Sequence, residues 1–522
     1  MLRSIIFKPT SSAFFAAKIR FQSVQAQPQQ LASDGVDPEW PNALPYEKIP
    51  RLGWLTMLRG FAPGGRYHNL AVLDAHRRFR EDFGDLLVIP GILGRKDTVV
   101  SYSPDDYEKL FRTEGHWPNR RGLDTFVHYR KHVRPDVFKG LGGLVNEQGE
   151  SWQQFRTIVN PVMLQPKTIR LYVDKLDEVA REFMGVIREI RDEKNELPAD
   201  FNQWLNRWAL ETMGVLALDT RLGVLDKEMS TEISNIVKYN REVLELMYQL
   251  DILPSIWKFY KTKSFKRLMT LFDEVTRVVM VKVNEAVVRL EKNPTTNNDN
   301  QSVLEKLLKI DRNVAIVMAL DMLLAGVDTT SAASSGILYS LAKNPEKQAR
   351  LREELRTILP HKDSPLTPEN MRNLPYLRAC IKEGLRLFTP TAGNIRAAGK
   401  DIVLQGYRIP KGTDVAMTSI ILYQDDQYFP RGKEFLPERW LKEPSSGCPS
   451  GKDTHRFLFL PFGFGPRACI GLRMANLELE MIVARVVRQY EVRWNYDDFR
   501  LVSNLINAPA NELRYQMVEV DH

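Results

Sequence analysis

Between about residue 145 and residue 390 the apolar positions recur at three- and four-residue intervals, the period of helices with one buried face. One stretch breaks that rule. Asn313 to Pro345, NVAIVMALDMLLAGVDTTSAASSGILYSLAKNP, is apolar on nearly every face, which predicts a long helix crossing the interior of a large domain. Its length would also suit a membrane span, but Asp321 and Asp328 lie within it and favour the core reading. Strand patterns flank the helical block. DLLVIPGIL and DTVVSYS follow a helical pattern that begins near residue 70, and DIVLQGYRIPKGT follows Pro390 with Gly-Tyr and Pro-Lys-Gly turn signals. A loop-like region with Gly and Pro runs to about residue 145, and a glycine-rich loop precedes the last helix. The pattern predicts a mainly α protein with small β portions divided between its two ends.

No internal repeat or composition break divides the chain, so residues 66–522 read as one domain and the proline-rich residues 34–65 as an irregular lead-in. The 43% hydrophobic and 26% charged content is that of an ordinary globular protein. Three cysteines, Cys380, Cys448 and Cys469, are too few and too scattered for a disulfide framework, and no CxxC pair suggests zinc or an iron–sulfur cluster. Cys380 reads as a core residue and Cys448 as a surface thiol. The net charge of +8 is concentrated at the start: residues 1–33 carry Arg3, Lys8, Lys18 and Arg20, several serines and no acid. That is the composition of a mitochondrial transit peptide. The charge left after it is too mild to argue for nucleic acid.

The chemistry concentrates in FGFGPRACIG, Phe462 to Gly471. Gly463 and Gly465 permit tight turns and close approach to a flat ligand, Pro466 stiffens the loop, and a following helix would aim its positive end at the sulfur of Cys469. One thiol cannot hold a cluster or a structural zinc, but it can be the fifth ligand of a haem iron. The loop resembles the haem-binding loop of the cytochrome P-450 superfamily, Phe-x-x-Gly-x-x-x-Cys-x-Gly, met here by Phe462, Gly465, Cys469 and Gly471 with Arg467 at the basic position. The resemblance implies the P-450 fold, a long central helix over the haem, haem b (iron protoporphyrin IX) as cofactor, and Cys469 as the thiolate ligand of its iron.

Four further segments match the family in the family's order, across residues 152–471. Trp152 and Arg156 resemble the propionate-binding helix, and Arg396 and Arg467 match other propionate-contacting positions. Asp328 and Thr329 in AGVDTT match the pair that delivers protons to dioxygen at the haem. Glu383 and Arg386 share a helix face, and with Arg439 of PERW match a buried three-way network. The function implied is insertion of one oxygen atom from O₂ into a small apolar substrate. The chain most resembles the insect mitochondrial branch associated with foreign compounds such as insecticides, with steroid hormones as the second substrate class. A haem-thiolate protein without oxygenase turnover is the alternative, and the acid–alcohol pair counts against it.

Partners follow from the same resemblance. Arg378 and Lys382, four apart on one helical face, match positions at which mitochondrial members dock an adrenodoxin-type two-iron ferredoxin, itself reduced by an NADPH-dependent reductase. Leu472 and Asn476 depart from the pattern beside the ligand loop. Ile252 to Leu268, ILPSIWKFYKTKSFKRL, interleaves aromatic residues with lysines as a membrane-surface segment does. The expected location is the matrix side of the mitochondrial inner membrane, in peripheral contact with it.

Overall fold

The strand-like runs from the two ends of the chain meet in one sheet. These are β1 (Leu86–Ile89), β2 (Thr98–Ser101), β3 (Asn394–Ala397) and, after the hairpin β4 (Ile402–Leu404) and β5 (Tyr407–Ile409), β6 (Asp414–Met417). The order is β1-β2-β6-β3, with β2 and β6 parallel and the other pairs antiparallel. Short β-branched runs with turn residues between them suit such a sheet, and Leu87, Val99 and Val415 are wholly buried in it. The computed structural model describes residues 36–226, 231–295, 297–443 and 447–520, so the expected transit peptide at 1–33 lies outside the described residues.

Residues 37–65, expected to be an irregular lead-in, belong to the same compact unit as the rest of the chain. The Leu44 N–H donates to the Gly406 carbonyl (2.8 Å) and the Leu52 N–H to that of Val88 (2.9 Å). Ile49 and Leu52 are buried in the core beneath the sheet, and α1 (Trp54–Phe61) follows. These partners lie far away in sequence, which is why local spacing showed only prolines.

The helical block contains α2 (Gly149–Met163), α3 (Phe201–Leu218), α4 (Thr231–Met247), α5 (Lys263–Lys292), α6 (Arg312–Ala342), α7 (Pro375–Leu387) and α8 (Leu472–Gln489). The helix predicted to be buried all round is α6, packed against α3, α7 and α8. Asp311 caps it, its carboxylate accepting from the N–H groups of Asn313 (2.7 Å) and Val314 (3.0 Å). Its polar residues do not break it, because the hydroxyls of Ser334, Ser335 and Ser340 each donate to the carbonyl four residues back (2.8 Å). The protein is a mainly α structure with small sheets.

The interval before residue 145, expected to be loop, holds short helical turns at Asp124–His128, Pro135–Phe138 and Gly143–Asn146, with one π turn at Tyr129–Val133. Long-range bonds fix them. The Tyr129 hydroxyl donates to Asp273 (2.9 Å) and Arg130 pairs with Asp321.

Candidate active site

The ligand loop is shaped by its glycines. Gly463 and Gly465 have φ of 73° and 71°, and a Cβ on Gly465 would come within 2.6 Å of Glu114 Oε1. The Cys469 N–H donates to the Phe462 carbonyl (2.8 Å), closing the loop, and α8 starts three residues after Cys469. Cys469 lines a cavity of about 350 Å³ that is also lined by Ala325, Gly326, Thr329 and Thr330 of α6. Burial pushes the thiol up, while the Gly471 N–H, the Arg156 and Arg120 guanidinium groups and the Leu472 N–H pull it back. Deprotonation is therefore coupled to whatever cation the sulfur meets.

Around the rim, charge is left uncompensated. Arg120, Arg156, Arg396 and Arg467 cluster against a single carboxylate, Glu114, which bonds Arg396 Nε (2.7 Å). Burial lowers Arg467 to about 9 and Arg120 to about 10, with neighbouring guanidinium groups adding to the shift. The buried Trp152 Nε1 and Arg156 Nε have no hydrogen-bond partner. Four guanidinium groups against one acid, with two orphaned donors, fit a dianionic flat ligand carrying carboxylates, as haem b is.

The candidate arginines differ in availability. Arg156 keeps Nε free while Nη2 holds the Ala468 carbonyl (2.9 Å). Arg467 stacks on Trp152 (3.9 Å) and gives its donors to Pro118, Leu144, Glu147 and Gln148. Arg396 is bound to Glu114 and is not among the cavity-lining residues. Phe462 lines the cavity. Arg120 and Glu114 were missed by sequence reading, since PNRR matches no motif and each residue alone reads as surface.

The sequence model of the cytochrome P450 family, by description "Cytochrome P450", matches residues 63–509. The chain belongs to the cytochrome P450 family. Cytochrome P450 CYP12A2 of Musca domestica is 44% identical over 498 residues, 93% of each chain. A probable cytochrome P450 12a5, mitochondrial, of Drosophila melanogaster is 44% identical over 499 residues, 93% of each chain. Cytochrome P450 12b1, mitochondrial, of Drosophila acanthoptera is 42% identical over 479 residues, 91% of this chain and 90% of that one. This P450 is thus a haem-dependent monooxygenase.

On α6 the Thr329 hydroxyl donates to the Ala325 carbonyl (2.8 Å) and lines the cavity. Asp328 does not line it. Its carboxyl is buried with Oδ2 unpartnered, and burial raises it to about 6, opposed by the Arg241 guanidinium. A second acid, absent from the sequence reading, does line the cavity. Glu478 of α8 is buried, bonds the hydroxyls of Thr212 and Thr330 (3.2 Å to the latter), and is raised by burial to about 8. The folded chain therefore holds this proton between about 4.5 and about 8, and unfolding releases it, so stability falls as pH rises through that window. Glu478→Gln should flatten the fall of the thermal midpoint between about pH 5 and about pH 8. Equal slopes for the variant and the parent would contradict this.

Glu383, Arg386 and Arg439 are brought together, each no more than 1% exposed. Trp440 also bonds Glu383 (2.8 Å) and lies 5.1 Å from Phe459, just before the ligand loop. Arg378 and Lys382 are both exposed on α7. Arg378 is held by Glu480 (2.9 Å) and Lys382 stands over Trp440. Asn476 turns its amide to the Leu472 carbonyl (2.8 Å), so the two departures from the family pattern bond each other.

Proposed function

We propose that this P450 works in the mitochondrion, taking electrons from an adrenodoxin-type ferredoxin and oxidising small apolar molecules, foreign compounds ahead of steroid hormones. Cys469 would supply the thiolate to the haem iron, and Trp152, Arg156 and Arg120 would hold the propionates, with Arg467 stacked on Trp152. The observation that carries this assignment is the buried excess of guanidinium groups facing the same cavity as the lone sulfur. When bound, haem supplies the activation of O₂ that puts one oxygen atom into substrate and releases the other as water.

The chain's own residues supply protons and exclude water. Thr329 presents its hydroxyl to the cavity, and Asp328, near half-protonated at pH 6, recharges it from the far side of α6. The Met213, Met318, Met322 and Leu385 side chains give the cavity apolar walls suited to an apolar substrate. Thr329→Ala is expected to keep haem binding while product per electron consumed falls several-fold and peroxide rises, read by NADPH, peroxide and product assays together. Unchanged coupling would remove the relay role.

Location and partner rest on surface features and relatives. The fly relatives are named mitochondrial, and residues 1–33 have transit-peptide composition. Arg378 and Lys382 offer an exposed basic face for an acidic ferredoxin. Ile252, Leu253, Ile256, Phe259 and Tyr260 are exposed, Phe259 by 74%, beside Lys258, Lys261, Lys263 and Lys266, which suits an anionic inner-membrane surface. Trp257 of the same run is instead buried, stacked 5.1 Å from Phe265. The test is turnover of a panel of insecticides and steroids with purified ferredoxin and its reductase, products identified by mass. Product formed only with a microsomal reductase would contradict the reading.

A further inference from the structure

A buried ion pair crosses the wall of the reaction cavity. Asp321 lines that cavity from α6, eight residues before Thr329. Its partner Arg130, in the π turn, lines a second, apolar chamber of about 40 Å³ enclosed by Phe126, Phe138, Leu210, Phe272 and Leu323. Arg130 and Asp321 are bonded to each other and are 1% and 5% exposed. The pair also grips the turn between them. Arg130 Nη1 donates to the Gly142 carbonyl (2.7 Å), and the Leu144 N–H donates to Asp321 Oδ2 (3.1 Å). Gly143 has φ of 74°, and a Cβ there would collide with both partners. Phe126 and Phe138 sandwich the guanidinium at 4.1 and 4.7 Å.

We propose that the Arg130–Asp321 pair is the end wall that limits how long a substrate the cavity accepts, and that the chamber behind it is an unused extension suited to the tail of an elongated apolar molecule. A charged pair is a poor filler for such a place, since apolar side chains of similar volume would pack there at least as stably. It does hold position. Three bonds and two ring faces fix the wall, whereas an apolar side chain would yield to a long tail by changing rotamer. The inference rests on the haem-loaded enzyme described above, because substrate length is measured from the haem. Eight residues of helix separate Asp321 from Thr329, placing the wall about 12 Å along α6 from the oxygen-activating face.

The test is a series of N-alkylimidazoles titrated into the haem-loaded protein. The ring nitrogen ligates iron and fixes one end, so the tail probes the cavity's length. For the parent, affinity should rise about fourfold per methylene until the tail spans about 12 Å, and then stop rising. In the double variant Arg130→Met with Asp321→Leu, which leaves no unpaired charge, the rise should continue for about two further methylenes. The longest tail should bind about tenfold tighter than in the parent, with short tails unchanged. Adding Leu323→Phe, which fills the chamber, should restore the parent's limit. Gly143→Ala, which displaces the pair without removing it, should also lengthen the limit and serves if the double variant does not fold. An unbroken rise in the parent, or a limit unmoved in a variant that binds short tails normally, would overturn the proposal. If no imidazole shifted the haem spectrum, the haem site itself would be misassigned, a different failure.

Discussion

Glu383→Ala is expected to leave almost no folded, haem-loaded protein. The Glu383 carboxylate accepts from Arg386 Nε (2.9 Å) and Nη2 (2.7 Å), from Arg439 Nε (3.0 Å), from the Leu436 N–H (3.0 Å) and from Trp440 Nε1 (2.8 Å). It is the only acid paired with either arginine among the described residues, and none of the three is exposed by more than 1%. Truncation strands two buried guanidinium groups and costs about 3–5 kcal/mol. A domain's whole stability is about 5–15 kcal/mol, so the loss is a large share of it. The remaining donors of Arg386, to the carbonyls of Tyr423, Gly432 and Glu434, tie α7 to the chain leading into the ligand loop, so haem content should fall with stability. Soluble yield, haem per chain and thermal midpoint measure it. A variant with the parent's midpoint and haem content would show that the network does not hold the loop.

Cys469→Ser should have the opposite profile, with the fold kept and the chemistry lost. The sulfur faces the cavity, and the loop around it is closed by backbone bonds that serine leaves in place, so stability should change by no more than about 1 kcal/mol. Product formation should fall at least about a hundredfold, because a hydroxyl does not supply the electron density with which a thiolate favours O–O cleavage. Retained turnover would move the iron ligand elsewhere.

Local sequence carried the helices and the ligand loop further than it carried the cavity's electrostatics. The all-round apolar run at Asn313–Pro345, with two aspartates inside it, read as an interior helix, and α6 is one, its serines satisfied against the turn before. The Glu383–Arg386 pair was legible from three-residue spacing, and Arg439 was found through the resemblance alone. What sequence hid were pairs made across long separations. Arg130 and Asp321 lie 191 residues apart, Arg396 and Glu114 282, and Glu478 meets Thr330 across 148. Each reads singly as a surface charge or a helix polar, and only packing shows that it is buried. The packing of the residues before 66 was hidden for the same reason, since their hydrogen-bond partners lie at Val88 and Gly406.

The whole site depends on Cys469, ionised, binding the haem iron. The most direct measurement is the difference spectrum of the reduced, haem-loaded protein on adding carbon monoxide. A thiolate-ligated haem should give a band near about 450 nm that Cys469→Ser abolishes. A parent protein that takes up haem and carbon monoxide without that band, or a serine variant that keeps it, would contradict the claim.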